Sequence, residues 1–440
     1  MWIRQLCFFS TIDLQQKRYC IIGAGISGIC AAKTILESGG HVTIYEQTDQ
    51  IGGTWVYTDV IGNDRFGLPI HTSMYQGLRT NLPKEIMGFP GFKMPEQDES
   101  YVRSDEVLQF IRDYAEHYNV TDKIAFQHLV VEVRPFTDGS EKWNVTVCQL
   151  VNGLSVTETF DFIFVCNGHY HTPQIPNYEG IECFKGKQLH SHEYRNPDIF
   201  RDEVVLIIGA GPSGTDLTLE VSKLAKTVFF SHHVPDKLQK IVFPPNVIHV
   251  PDILRILPNE VEFVNGSKHF VTIVFYCTGY RYNFRFLHSD CGIEVEDNWV
   301  RPLYKHLLNI NRPTMAFIGL PFYVCASLMF DLQARFCVAF YNKSLPMPSK
   351  KEMLDDYERE MNERWSKGLK KRQAHMMGAE YQRTYYRSLA ERAKIEPIPE
   401  VMTNIHIDSS IRKKEDLQNY RDDVYRILDD ETFVRQTKND

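Results

Sequence analysis

The ten cysteines include no CxxC pair, and basic residues are not in excess: 49 Lys and Arg stand against 56 Asp and Glu, a formal charge of -7. Zinc ribbons and thioredoxin-like redox centres are thereby excluded. Nucleic acid is not an expected partner, since a duplex-binding surface carries surplus positive charge. There is no low-complexity tract, and uncharged apolar sequence long enough for a bilayer is scarce. The one such window, 313–330, is punctuated by Pro313, Gly319 and Pro321, which suits a buried strand followed by a loop rather than an integral membrane segment. The C-terminal stretch is heavily charged and offers no apolar anchor. The N-terminus has one basic residue, a short apolar run and no small-residue cleavage site, so a cytoplasmic or peripheral endoplasmic-reticulum location is favoured over secretion. Four sequons, at Asn119, Asn144, Asn265 and Asn342, do not alter this, because such triplets arise freely by chance.

What is present is an ordinary globular composition, 43% apolar and 24% charged, over 440 residues, a length that suggests two or more packed units. Cys20, Cys166 and Cys277 sit inside apolar runs and read as small buried hydrophobes. Residues 19–23 read as a strand, Ala31, Ala32, Ile35 and Leu36 as one helical face, and 41–46 as a second strand. Together they predict a βαβ unit with a parallel sheet and a right-handed crossover. A second copy runs through 203–209, 215–224 and 227–231, and no other repeat is found. Between the copies, 104–118 predicts an amphipathic helix capped by Ser104, with Val107, Leu108, Phe110, Ile111 and Tyr114 inward. Strands are expected at 143–150 and 160–166, and one or two surface helices over 350–394. Beyond Pro397 the tail is polar, with Tyr420, Val424 and Leu428 suggesting a last amphipathic turn or two.

Gly23, Gly25 and Gly28 form GxGxxG between the first strand and its helix. The first glycine permits the turn, the second lets backbone approach a pyrophosphate, and the third lets the helix pack on the sheet. The helix N-terminus then offers N–H groups to the phosphates. Glu46 ends the second strand, where a carboxylate can accept from ribose hydroxyls. Gly209, Gly211 and Gly214, with Ser213 between the last two, repeat the motif. That copy's second strand ends in Ser231, His232 and His233 with no acid, which leans towards NADP because a carboxylate would repel a 2'-phosphate. His232, His233 and Lys237 are the candidate positive partners. Two dinucleotide sites imply a bound flavin and a nicotinamide that delivers hydride to it. The expected fold is α/β with two Rossmann-like dinucleotide-binding domains: an FAD domain, 17–172 and 285–440, and an inserted NADPH domain, 173–284.

From about Arg18 to about Tyr341 the chain resembles the flavin-containing monooxygenases. Beyond the glycine motifs, the likeness rests on Gly52-Gly-Thr-Trp55, on the Asn81 loop from Tyr75 to Glu85, and on Phe184, Gly186, His190 and Tyr194 in an FxGxxxHxxxY pattern. Thr278-Gly279-Tyr280 resembles the element that returns the chain to the flavin domain. The resemblance implies flavin contacts at Gly23, Gly25, Ser27, Gly28, Glu46, Gly53, Thr54 and Trp55. It implies further cofactor contacts at Gly209, Gly211, Ser213, Gly214, Ser231, His232, Thr278, Gly279, Tyr280 and Gln333. Asn81 is implied to lie at the reactive edge of the flavin, and His190 to organise the interdomain linker. The final motif departs from the family pattern, with Leu328 where proline is usual and Asp331 where Glu is common. Length and the lack of an anchor look more like the insect branch, some of whose members N-oxygenate plant alkaloids.

The implied activity is NADPH- and O2-dependent oxygenation of a small-molecule amine or sulfide through a C4a-hydroperoxyflavin; a homo-oligomer is compatible with it. A flavin or disulfide reductase is disfavoured by the missing CxxC, and Baeyer-Villiger chemistry by Tyr194, where those relatives show Trp. A cofactor-binding protein without turnover is disfavoured by the intact glycine motifs, Glu46 and Asn81.

Overall fold

Two strand, glycine turn, helix, strand units each seed a parallel sheet in the computed structural model, which describes residues 17–233 and 241–437. In the first, strand Arg18–Ile22 leads through helix α1 (Ile26–Glu37) to strand His41–Glu46, pairing in parallel from Arg18 against His41 to Ile22 against Tyr45. Strand Phe162–Val165 flanks Arg18–Ile22 on its other side, Ile124–Phe126 extends one edge, and Met315–Phe317 leads to two short antiparallel strands at the other, making seven strands. Alternation divides the faces. Tyr19 and Ile21 point into the core with α1, whereas Cys20 and Ile22 point into a second core with Trp143, Val145 and Phe160. Trp143 and Phe160 belong to an antiparallel three-stranded sheet, His128–Pro135, Trp143–Gln149 and Leu154–Phe160, that covers this second face.

The second unit repeats the plan. Val204–Ile208 passes through helix α3 (Pro212–Ser222) to Thr227–Ser231, and Ile273–Tyr276 flanks the centre in the role that Phe162–Val165 has in the first sheet. Lys187–His190 and Val247–Val250 complete five parallel strands. Helix α2 (Ser104–His117) buries Val107, Phe110, Ile111 and Tyr114 as expected, with Leu108 half-buried. Ser104 is its first helical residue rather than its cap; the backbone N–H of Arg103 donates to Glu106 Oε2 at 2.7 Å and closes that end.

The window at 313–330 holds the buried strand and loop expected of it, and adds a helix the sequence reading did not find: strand Met315–Phe317 is followed by a loop and then by helix α4 (Ala326–Tyr341), most of whose residues are buried. Among the described residues no helix is long and apolar enough to cross a membrane. Helices α5 (Lys350–Ser366) and α6 (Gly378–Ala393) fill the charged stretch, as expected. The tail holds more order than its polarity suggests: helix α7 (Glu400–Glu415) and a hairpin of Val424–Ile427 with Phe433–Gln436. Tyr420 and Tyr425 are buried against Tyr101, while Leu428 is exposed.

Candidate functional site

The first glycine motif builds a cradle from backbone. Gly23 has φ +105°, and a Cβ there would lie 2.7 Å from the carbonyl of Cys166, so only glycine can make the turn. A Cβ on Gly28 would lie 2.0 Å from the carbonyl of Gly23, so the helix rests directly on the turn. The second loop docks on the first: Gly52 N–H donates to the Ala24 carbonyl at 3.1 Å, and Gly53, at φ +55°, would bring a Cβ to 3.0 Å from Gly25 Cα. Thr54 and Trp55 follow in the 3-10 turn Gly53–Trp55; the Thr54 carbonyl accepts from Thr72 Oγ1 at 2.6 Å, while its own hydroxyl is buried without a partner among the described residues.

Gly25 stands at the N-terminus of α1 with no side chain capping it among the described residues, which leaves its first-turn N–H groups for a ligand. Ser27, in that turn, is buried. Glu46 is 6% exposed; its Oε2 accepts from Ala24 N–H at 2.7 Å, and its Oε1 from Thr48 N–H and Oγ1, each at 2.8 Å. Three donors on a carboxylate with about four lone-pair directions leave room for a ribose hydroxyl.

The second cradle is a near copy. Gly209 has φ +102°, and a Cβ there would lie 2.5 Å from the carbonyl of Cys277, which directly follows the flanking strand as Cys166 does in the first unit. Gly214 would bring a Cβ to 1.8 Å from the Gly209 carbonyl, whereas one on Gly211 would meet nothing within 4 Å. Gly211 caps α3, again without a side-chain hydrogen bond, and Ser213 is half-buried in the first turn. That open Cβ position and the uncapped N-terminus are what a pyrophosphate requires.

The end of Thr227–Ser231 departs from expectation. Ser231 is 2% exposed and its hydroxyl donates to the Pro251 carbonyl at 2.9 Å, so it is committed inside the protein. His232 is buried with Nε2 3.1 Å from His249 Nδ1. His233 is exposed, and its Nδ1 lies 2.7 Å from Asp252 Oδ2. The strand has no acid of its own, but Asp252 brings one from a later segment, so the missing carboxylate is a weaker electrostatic signal than sequence alone suggests. Lys237 lies outside the described residues.

Thr278, Gly279 and Tyr280 run antiparallel to 172–174. Gln174 N–H donates to the Gly279 carbonyl and Arg281 N–H to that of Thr172, each at 2.8 Å, and the Thr278 hydroxyl donates to the Gln174 carbonyl. Thr278 therefore closes the crossover between the sheets rather than presenting a free hydroxyl. His190 accepts from His192 N–H on Nδ1 at 3.1 Å and sets its ring edge-on to Tyr280. Gln333 is 0% exposed; its Oε1 accepts from Gly319 N–H at 2.9 Å and one N–H of its Nε2 donates to the Tyr385 hydroxyl at 2.7 Å, so the side chain fixes the Gly319 turn and uses one of its two amide N–H groups in doing so.

Asn81 is exposed, and no side-chain hydrogen bond engages its amide among the described residues. The residues beside it are tightly held. Thr80 N–H donates to the Val102 carbonyl at 2.8 Å, Thr80 Oγ1 accepts from Val102 N–H at 3.1 Å, and the Thr80 carbonyl accepts from Arg421 Nε at 3.0 Å. Arg421, Asp216 and Tyr75 form one network here that sequence reading missed. So did it miss Arg195, which donates to the carbonyls of Thr58, Val60, His192 and Tyr194 and ties the fingerprint segment to the loop after Trp55. Arg195 directly follows Tyr194, and its position next to the fingerprint is the signal that could have found it.

Comparison with known proteins places these features. The flavin-binding monooxygenase-like family model matches residues 16–236 and 232–411. Senecionine N-oxygenase of Tyria jacobaeae is 33% identical over 96% of this chain and 92% of its own length. Flavin-containing monooxygenase FMO GS-OX5 of Arabidopsis thaliana is 35% identical over 81% of each chain. The solved S-allyl-L-cysteine S-oxygenase of Allium sativum superposes with a TM-score of 0.85 at 32% identity, covering 92% of this chain and 95% of that one. With both glycine cradles inside the matched regions and relatives spanning nearly the whole chain, the protein belongs to the flavin-binding monooxygenase-like family, as an oxygenating enzyme that uses FAD and NADPH.

Proposed function

We propose that the protein oxygenates soft nucleophilic nitrogen or sulfur centres of small molecules, such as amines, alkaloids and thioethers, with NADPH and dioxygen as co-substrates. The observation that carries this reading is an unpartnered amide, Asn81, in a loop bonded to the helix of the second of two glycine cradles. The N- and S-oxygenase names of the relatives support it. In the balanced reaction one oxygen atom bonds to the lone pair of nitrogen or sulfur, and the other leaves as water with two electrons from NADPH and protons from NADPH and solvent.

FAD, when bound, would supply the redox chemistry that links the two electrons of NADPH to dioxygen. The chain's own residues have narrower tasks. Gly23, Gly25, Ser27, Gly28, Gly53, Thr54 and Trp55 shape the flavin cradle, with Glu46 accepting from the ribose. Gly209, Gly211, Ser213 and Gly214 shape the nicotinamide cradle, and His232, held against His249, is the residue of that strand end nearest to a 2'-phosphate role. Residues 17–172 and 285–440 form the flavin domain and 173–284 the nicotinamide domain, with Thr278, Gly279 and Tyr280 in the crossover. Asn81 donates to the reacting oxygen, on a loop whose backbone is held at Thr80 beside it.

Purified protein should be yellow, should bleach with NADPH in the absence of air, and should form one N-oxide or S-oxide per NADPH when a tertiary amine or thioether is added in air. Colourless protein, or NADPH consumption that never yields an oxygenated product with any amine or sulfide tested, overturns the reading.

A further inference from the structure

Asp216 is a buried carboxylate on α3, one turn in from Gly211, and it is held by two segments remote in sequence. Its Oδ1 accepts from Arg421 Nη1 at 2.7 Å and its Oδ2 accepts from the Tyr75 hydroxyl. Arg421 uses the rest of its fork on the Asn81 loop, donating from Nε to the Thr80 carbonyl at 3.0 Å and from Nη2 to the Arg79 carbonyl at 3.3 Å. Arg79 returns the contact, its Nη2 donating to the Arg421 carbonyl at 3.2 Å. Burial alone would raise the Asp216 pKa, but the charge and hydrogen bond of Arg421, with Lys413 beyond, hold it below the usual carboxylate value.

One carboxylate thus joins three pieces of chain: the helix that opens the second cradle, the loop that carries Asn81, and the C-terminal segment before the last hairpin. We propose that Asp216 and Arg421, seconded by Tyr75, are positioning residues that strap the Asn81 loop to the nicotinamide cradle, so that its amide keeps one place relative to both cofactors. The proposal rests on the role given to Asn81 above. Arginine suits the task because its planar fork reaches a carboxylate on one side and two carbonyls on the other. Reacting groups also tolerate little displacement: a shift of about 1 Å can cost about 100-fold in rate.

The test is the share of NADPH electrons that emerge as hydrogen peroxide instead of oxygenated amine, measured well below the melting temperature on protein with full flavin content. A purely structural contact would lower the melting temperature and leave that partition where it was. Asp216→Asn and Arg421→Lys should each raise the peroxide share about threefold or more, and Tyr75→Phe, which keeps both charges, should raise it less. In an Asn81→Leu background, Asp216→Asn should add nothing further, because both changes act through one amide. If both strap variants keep the parent partition while Asn81→Leu shifts it, the strap proposal fails and the role of Asn81 stands. If Asn81→Leu also leaves the partition unchanged, the role of Asn81 fails, and the strap with it. Should Asp216→Asn and Arg421→Lys not fold, Tyr75→Phe decides: a raised peroxide share supports the strap, and an unchanged one overturns it.

Discussion

The second glycine cradle separates two jobs that substitutions can test one at a time. A methyl added at Gly214 would sit 1.8 Å from the Gly209 carbonyl, inside the 3.0 Å that real Cβ contacts respect, and its neighbour is backbone that cannot swing aside. The helix must lift from the turn by about 1 Å, an overpacking cost of about 1–3 kcal/mol or more. At about 2–4 °C per kcal/mol for a sizeable domain, Gly214→Ala should melt roughly 2–12 °C below the parent. A methyl at Gly211 meets nothing within 4 Å, and its φ of -72° is ordinary for alanine. Gly211→Ala should therefore melt with the parent, yet stand where the pyrophosphate must approach. A loss of about 1.4–2.8 kcal/mol there raises the KM for NADPH about 10- to 100-fold. Thermal melts followed by flavin fluorescence, paired with NADPH saturation curves, read both quantities from one preparation. Parent-like NADPH affinity in Gly211→Ala, or a parent-like melt in Gly214→Ala, would refute the reasoning.

Asn81→Leu should retain its flavin and consume NADPH while the oxygenated product per NADPH falls about tenfold or more, read by product analysis against peroxide release. Glu46→Gln turns an amide N–H towards a protein donor, so flavin content and melting temperature should both fall, by about 1–3 kcal/mol for the unsatisfied buried donor; retention of full flavin through dialysis would contradict this. His406 is buried, accepts from Gln382 Nε2 at 2.7 Å, and is held by burial at a pKa of about 4. The unfolded chain binds that proton from about pH 6.5 downwards and the folded one does not, so stability should fall on acidification from about 6.5 to about 4, by up to about 1.4 kcal/mol per pH unit. His406→Gln should flatten the profile of melting temperature in that window, and an identical slope in the variant would show that other groups carry it.

Sequence periodicity revealed the elements built on strong local rules. The strand at 18–22, the helix facing it and the parallel strand at 41–46 were legible because a continuous apolar run marks a strand buried on both faces, its alternate residues divided between the two cores. The glycines of both turns were legible too, since no other residue fits 2.0 or 1.8 Å from a carbonyl. Helix α4 was not. It is buried on nearly all sides, so it lacks the polar stripe by which an amphipathic helix is recognised, and its apolar start merges with the strand before it. Asp216 reads as an unremarkable helical polar residue, and Arg421 as one charge in a solvated tail; only folding brings them within 2.7 Å. The acid beside His233 was hidden likewise, because Asp252 lies on a later turn that strand order, not sequence spacing, delivers.

The two cradles share a detail that spacing alone does not require. Cys166 and Cys277 each directly follow the strand flanking the glycine turn, and each presents its carbonyl where the first glycine would carry a Cβ. Burial raises the pKa of both thiols above their ordinary value, Cys166 also feeling the hydroxyl of Ser27, so neither is poised to react. Their common role is steric, as small side chains that let turn, helix and sheet close together. The copies differ at the rim, where Glu46 spends its carboxylate on Ala24 and Thr48 while Ser231 and His232 turn inward to Pro251 and His249. A shared base with unlike rims fits two different dinucleotides, because the pyrophosphate common to both is bound by backbone while the parts that differ are met by side chains.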